Sequence, residues 1–418
     1  MTAPISILPL LQQTHAASAS LRRLSDAQKA EFLVALADEI LAQKVAILEA
    51  NAKDIALMDS NNPMIDRLLL TDKRIEALSE STRSVALLPD PTGQILLEKT
   101  LSNGLKLSKI TVPLGVVGII YESRPNVTID VTALCIRSGN AVVLRGGSDA
   151  WHTNNCFVGI IHQVLENQGI NPNCVCLLPT DRALVKEMLT ATRYIDVIIP
   201  RGSDKLIQFV RQNSLVPTIE TGAGVVHTYI HQAADLDKAL AIVINAKTQR
   251  PSVCNTLDTL VLDNAIASRF LAMLKNDFIQ WNVAIFADEI SFNILQNLDY
   301  PLLQKAKNED FGREFLDYKC SIKVVEGFEE AIAHISEYSS KHSEAIVSEN
   351  QDICNQFIVE IDAAAVYTNA STRFTDGAEF GLGAEIGIST QKLHARGPFA
   401  LEKMVTEKWI GIGTGQIR

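Results

Sequence analysis

Positive charge is scarce in this chain: 38 lysines and arginines face 48 aspartates and glutamates, a formal net charge of −10. That balance excludes a broad basic surface for nucleic acid or for an anionic membrane, so any anion must meet a local cationic pocket. No apolar run is long enough to span a bilayer, and the opening MTAPISILPLLQQTH lacks a charged n-region; a cytoplasmic location is the expectation. Repeats of fixed period and low-complexity tracts are missing. With only 14 prolines, 47% hydrophobic and 21% charged residues, disorder is not expected. Seven cysteines scattered through 418 residues suit reduced thiols better than a disulfide framework. Cys174 and Cys176 form a C-x-C without the two further ligands a metal needs nearby, so they read as a buried strand. Cys135 reads as helix core, and Cys156, Cys320 and Cys354 have no polar constellation beside them.

A chain of this length implies two or three domains, with room for a ligand cleft between them. Leu24 to Leu88 has a helical pattern, with Ser25 or Asp26 as a cap and Phe32, Leu33, Leu36, Ile40 and Leu41 near a 3.6 period. A turn-rich break, LPDPTGQ, leads to alternation around Asn103-Gly104, which predicts a two-stranded hairpin arm. From Val116 short apolar runs, VVGIIYES, AVVLRGG, VCLLP, IDVIIPRGS and VPTIETG, alternate with helical segments. That texture predicts a parallel sheet covered on both faces, with ligands beyond the carboxyl ends of its strands. A second α/β section begins near Ala233 and returns to a strand in AAAVYTNA.

Two strand-end loops, RGGSDA and PRGSDKL, place glycine and serine where a helix N-terminus attracts phosphate, although a plain turn with a capping serine has the same wording. Cys254, in TQRPSVCNTLD, follows a basic approach stiffened by Pro251. A core cysteine or a reactive thiolate would each fit there. Lys247 and Arg250 are close enough in sequence to favour the anion, or are a solvated pair of charges.

The segments VPLGVVGIIYESRPNVTIDVTALCIRSGNAVVLRGGSDA, PTIETGAGVVH and SVCNTLD, in that order, resemble the aldehyde dehydrogenase superfamily. Its members carry a strand-loop asparagine, a glutamate in a glycine-bearing turn and a nucleophilic cysteine, which Asn126, Glu220 and Cys254 match here, and the separation of Glu220 from Cys254 is the superfamily's usual one. YESRPNVT, RGGS, PRGSDKL, ETGAGVVH, FGLGAEIGIST and KLHARGP are more similar to the branch that reduces an acyl phosphate of glutamate, and the likeness runs to WIGIGTGQIR. The resemblance implies an α/β fold with a Rossmann-like parallel-sheet cofactor domain at residues 1–98, 112–232 and 366–400. It further implies a second α/β catalytic domain at 233–365 and a small β oligomerisation arm at 99–111 and 401–418. The activity implied is NADPH-dependent reduction of L-glutamyl 5-phosphate to L-glutamate 5-semialdehyde with release of phosphate, the second step of proline synthesis from glutamate. A homo-oligomer, and contact with the glutamate 5-kinase that makes the labile acyl phosphate, also follow as expectations.

Residue by residue, the resemblance makes Cys254 the thiol that holds the acyl group. Asn126 becomes an oxyanion donor, or else simply caps the helix after it. Glu220 matches the water-activating glutamate of aldehyde oxidisers, but release of phosphate needs no hydrolysis, so it orients the site, meets the substrate amine, or only shapes its turn. Arg145 and Ser148 are expected at the 2′-phosphate of NADPH, since guanidinium suits phosphate bidentately. Gly202 and Ser203 are expected near the pyrophosphate and Glu314 near the nicotinamide ribose. Arg124, Arg396 and Arg373 are candidates for the substrate's anionic groups, and no metal is expected. His227, inside VVHTYI, reads as a core histidine. Readings left open are a hydrolytic aldehyde dehydrogenase, a nucleotide sensor without catalysis and a cysteine hydrolase.

Overall fold

The computed structural model describes residues 6–59 and 65–418, arranged as two compact units. The first comprises Met1–Thr221, Gly381–Gly387 and Leu393–Arg418. Its helical start follows from local chemistry. Ser25 caps the helix Asp26–Ala42 by accepting from the Gln28 N–H, and the Gln28 side chain takes the Ser25 N–H in return, leaving Asp26 to meet the helix dipole in the first turn. Phe32, Leu33, Leu36 and Ile40 are fully buried, whereas Leu41 from the same pattern faces solvent.

Strands β1 (Ile95–Thr100) and β2 (Lys106–Pro113) pair antiparallel through a turn in which Gly104 takes a φ of +86°, a conformation that glycine adopts without strain. The predicted hairpin is thus present, but the last strand, Val405–Ile412, adds to the other edge of β2 and makes the arm three-stranded. Next, β3 (Val116–Tyr121), β4 (Ala141–Arg145), β5 (Val175–Leu177) and β6 (Val197–Arg201) form a parallel sheet in the order β5-β4-β3-β6. Helices Asn126–Arg137, Trp151–Asn167 and Ala183–Leu189 lie on the connections, and every residue of β3 is buried, as expected for a strand covered on both faces. Cys174 precedes β5 in a short 3-10 turn rather than sharing the strand with Cys176. VPTIETG forms no strand and contributes single bridge residues, Thr218, paired with Ile198, and Thr221. The strand order reverses at β3, since the chain steps outward to β5 and then returns to β6 on β3's other side. The loops after β3 and β6 therefore flank the crevice where such sheets bind ligands.

The second unit comprises Gly222–Phe380 and Ile388–Lys392. Its strands are β7 (His227–Ile230), β8 (Thr259–Asp263), β9 (Ala284–Ala287), β10 (Leu303–Lys305), β11 (Lys319–Val325), β12 (Ser343–Val347) and β13 (Ala365–Thr368). They make one parallel sheet in the order β10-β9-β11-β8-β7-β12-β13. Side chains alternate between two cores: Ile230, Leu260, Leu262, Ile322, Val324 and Val347 enter one, and Tyr229, Val261, Val325 and Ile346 the other. Because β7 and β13 are members of this sheet, the unit starts before Ala233 and continues past residue 365. Both of the boundaries expected from sequence move outward. Among the described residues no helix is long and apolar enough to cross a membrane, and all seven cysteines are free.

Candidate active site

In the first unit, β3 runs into Glu122, Ser123 and Arg124, with Ser123 in the left-handed region at φ 45°, and then into the helix that begins at Asn126. Pro125, which has no side-chain donor or acceptor, holds the N-cap position. Asn126 therefore does not cap; its Nδ2 donates to Asp130 Oδ2 at 2.9 Å, one turn along the same helix. Asp130 was not read from the sequence. Burial pushes its carboxyl up to about 6, against the pull of the Asn126 amide and the Arg201 charge. A lone acidic residue in NVTIDVTALCIR, four after the asparagine, was the available signal.

Arg145, at the end of β4, donates Nη2 to the Thr180 carbonyl at 2.8 Å. Its Nε is buried without a hydrogen-bond partner. Burial and the nearby Arg182 charge pull the guanidinium down from its ordinary value, and Glu122, Asp149 and Asp181 oppose them. Two adjacent guanidiniums and an unsatisfied buried N–H fit a phosphate well. Ser148 is exposed beside them. Arg182 was missed because its segment, PTDRALV, carries no phosphate signature.

The loop after β6 is arranged differently from the expectation. Ser203 Oγ caps the helix Asp204–Asn213, while the Ser203 N–H donates to Glu122 Oε2 at 3.0 Å. A Cβ on Gly202 would fall 2.5 Å from the same carboxylate oxygen. A carboxylate thus holds the N–H assigned to pyrophosphate, and a phosphate there must displace it. Glu220 lies 3.8 Å from Arg211 Nε as an ion pair, its side chain mostly buried. Arg124 and Arg396 are half-buried.

In the second unit Cys254 sits, half-buried, in the turn Pro251–Thr256. Gly224 packs on that turn so closely that a Cβ would fall 2.5 Å from the Cys254 carbonyl carbon. The Gly224 N–H donates to Glu314 Oε1 at 2.9 Å, which brings Glu314 to the cysteine turn. Arg373 joins from the other side: its Nε donates to Gln249 Oε1 at 3.0 Å, its Nη1 to Asn255 Oδ1, and Cys254 is among the groups acting on its charge. The second unit therefore gathers Cys254, Glu314 and Arg373.

Lys247 is neither a partner of the thiol nor solvated. It is fully buried, donates to the Leu257 carbonyl at 2.8 Å, and has Asp258 as its main opposite charge. Burial nonetheless pushes Asp258 up to about 7. That carboxyl accepts the Phe315 N–H at 2.9 Å and the Val226 N–H at 3.4 Å, tying the segments that carry Glu314 and Gly224 to the base of the turn. Arg250 is exposed. His227 is a core residue, with Nδ1 3.1 Å from Glu344.

Residues 10–290 match the model of the aldehyde dehydrogenase family. The chain is 54% identical over 404 residues to a gamma-glutamyl phosphate reductase of Pelodictyon phaeoclathratiforme, covering 96% of each. It is 53% identical to the Chlorobium chlorochromatii protein of the same name over 99% of each. The crystal structure of gamma-glutamyl phosphate reductase from Thermotoga maritima is 40% identical, with a TM-score of 0.94 over 99% of this chain and 100% of that one. An acetylating aldehyde dehydrogenase from Geobacillus thermoglucosidasius, at 16% identity and a TM-score of 0.72 over 99% and 97% of the two chains, shares the fold. The chain thus belongs to the gamma-glutamyl phosphate reductases within the aldehyde dehydrogenase family, and it is an oxidoreductase.

Proposed function

We propose that this protein reduces L-glutamyl 5-phosphate to L-glutamate 5-semialdehyde with NADPH, releasing phosphate, and that Cys254 carries the acyl group between the two halves of the reaction. The observation that supports this best is the built surround of the Cys254 turn, where Gly224 packs on the Cys254 backbone, Glu314 accepts the Gly224 N–H, and Arg373 donates to Asn255, the next residue. A carboxylate accepts hydride poorly, and an acyl phosphate solves this by carrying a good leaving group. The Cys254 thiolate attacks the acyl carbon and phosphate departs with the bonding electrons, leaving a thioester. Asn126, held by Asp130, donates an N–H to the oxygen that gains charge. Arg145, with Arg182 and Ser148, holds the 2′-phosphate of NADPH; Gly202 and Ser203 serve its pyrophosphate once Glu122 yields, and Glu314 its ribose. The bound cofactor supplies the hydride. Once the acyl carbon is reduced, thiolate leaves again and the semialdehyde is released. Arg124 and Arg396 take the substrate's anions, and Arg373, bonded to Gln249 and Asn255, stands by the Cys254 turn. Glu220, paired with Arg211, orients rather than activates water. The arm of β1, β2 and Val405–Ile412 is assigned to homo-oligomer pairing, and we expect a cytoplasmic enzyme that meets its kinase directly.

The reaction run backward tests the reading. Semialdehyde and NADP should yield NADPH only when phosphate is supplied, with rates that saturate in phosphate; phosphate-independent NADPH formation would instead indicate a hydrolytic aldehyde dehydrogenase.

A second expectation concerns Asp130. As a carboxylate it only accepts, so it must take an N–H of Asn126; once protonated it can donate to Asn126 Oδ1 and turn the amide round. Single-turnover reduction should therefore decline as pH falls through about 6, and Asp130→Asn should lack that limb. Stability follows the opposite sign. The folded-state value is raised, so ionisation is disfavoured in the fold, and this group's contribution to stability decreases as pH rises from about 4 to 6. An acid limb unchanged in Asp130→Asn would remove Asp130 from the account.

A further inference from the structure

We propose that Arg373 is a positioning residue for the nucleophile, clamping the Cys254 turn through Asn255 and keeping Cys254 in its thiolate form. The inference rests on the reading of Cys254 as the nucleophile, and it changes what Arg373 is for. A guanidinium reserved for substrate would point its donors into the site. Here Nε and Nη1 are given to Gln249, just before the Cys254 turn, and to Asn255 within it.

The clamp is reciprocal. Thr372 Oγ1 donates to the Asn255 carbonyl at 2.8 Å, and Asn255 Nδ2 donates to the Thr375 and Arg373 carbonyls at 2.9 and 3.3 Å. Ser371 Oγ accepts the Arg373 N–H at 3.3 Å and starts the 3-10 turn Thr372–Phe374. Asn255 and Thr372 are only 3% and 0% exposed, so water does not compete for these bonds. A segment over a hundred residues away in sequence thus fixes the residue next to the nucleophile.

The charge acts along with the geometry. Burial pulls the Arg373 guanidinium down, and Asp376 and Cys254 oppose that most strongly. The other charges around the turn are Arg250 on the turn itself, Glu379 beyond Asp376, Glu314 across Gly224, and the Lys247–Asp258 pair beneath. Three of these are carboxylates that oppose thiolate formation, and Arg373 is the cation held in a fixed position on the turn by its bonds to Gln249 and Asn255. An opposite charge close to an acid typically moves it by about 1–3 units, and partial solvent access selects the lower end.

The test is the rate at which iodoacetamide alkylates Cys254 in the full-length protein as a function of pH, read from the mass of the Cys254 peptide, with Cys254→Ala as the blank. Arg373→Gln should move the midpoint upward by about one unit and slow alkylation about tenfold at neutral pH. Arg373→Lys should keep the wild-type midpoint, because it retains the charge. Thermal melting of both variants shows whether each is folded. An unmoved midpoint in Arg373→Gln, or the same shift in Arg373→Lys, would overturn the proposal; a raised KM for glutamyl phosphate with an unmoved midpoint would return Arg373 to the substrate. If Cys254→Ala retained turnover, the reading of the nucleophile would fail instead, whatever the alkylation profiles show.

Discussion

Cys254→Ala should lose turnover by about 10⁴–10⁶, with its fold and its affinity for NADPH intact. No neighbouring group replaces sulfur. Thiolate must both attack an acyl phosphate and leave a reduced carbon, and the other six cysteines are elsewhere: Cys135, Cys174, Cys176, Cys320 and Cys354 are buried, and Cys156 lies on the helix Trp151–Asn167. Burial pushes Cys135 well above the ordinary thiol value and Cys174 and Cys320 up to about 12, so these stay protonated. Cys254→Ser discriminates further. It preserves the shape of the turn but offers a poor leaving group, so any acyl transfer it keeps should end in a trapped ester. Mass spectrometry would show that adduct. Turnover near wild type in Cys254→Ala would end the covalent account.

The second large effect is expected at Gly224. An added methyl would fall 2.5 Å from the Cys254 carbonyl carbon and 2.9 Å from its Cα, and backbone atoms cannot swing aside as a side-chain tip does. The Gly224 segment or the Cys254 turn must therefore move. Movement of the turn breaks the bonds to Asn255, and movement of the segment breaks the Gly224 N–H to Glu314 bond. A shift of about 1 Å at a reacting atom can cost about 10² in rate, and overpacking at a buried backbone contact costs about 1–3 kcal/mol of stability. Gly224→Ala should show both, as a lower kcat and a lower urea midpoint at unchanged m-value. Normal values of both would mean that the close approach is not needed. Asn126→Ala, by comparison, leaves the buried Asp130 carboxyl without the Asn126 donor and should lower the urea midpoint at neutral pH, where Asp130 is ionised.

The two halves of the molecule were unequally legible. In β8 the apolar run Leu260–Leu262 is continuous and the whole strand is buried, and β11 is buried except at Lys319 and Lys323, so TLDTLVLD and SIKVVEG stand out. Strands β9 and β10 are short and near the sheet edge, with partly exposed residues; LQK over β10 carries no strand signal, whereas the apolar run VAIFA over β9 was legible. VPTIETG has the composition of a strand, yet its backbone meets β6 at only one bridge. At the site, the residues found from sequence are those whose neighbours repeat a family's wording: Cys254, Glu220, Asn126 and Arg145. Those missed act through distance in space. Arg182 adjoins Arg145 from another loop, Glu122 reaches Ser203 across the switch between β3 and β6, and Asp130 binds Asn126 only because a helix brings every fourth residue to one face. Lys247 was misjudged because its burial against Leu257 and Asp258 depends on a fold that its flanking residues do not announce.

The central strand of the arm receives its second partner from a segment far along the chain. Lys106–Pro113 pairs at once with Ile95–Thr100, but its other edge is filled by Val405–Ile412, in a register joining Pro113 to Val405 and Lys106 to Ile412. A nascent chain emerging from the ribosome carries that open edge through roughly three hundred residues of translation, a contact order that favours slow completion. Removal of Val405–Ile412 by truncation would leave the edge permanently available to another chain, so such a truncation should show itself first as aggregation during expression.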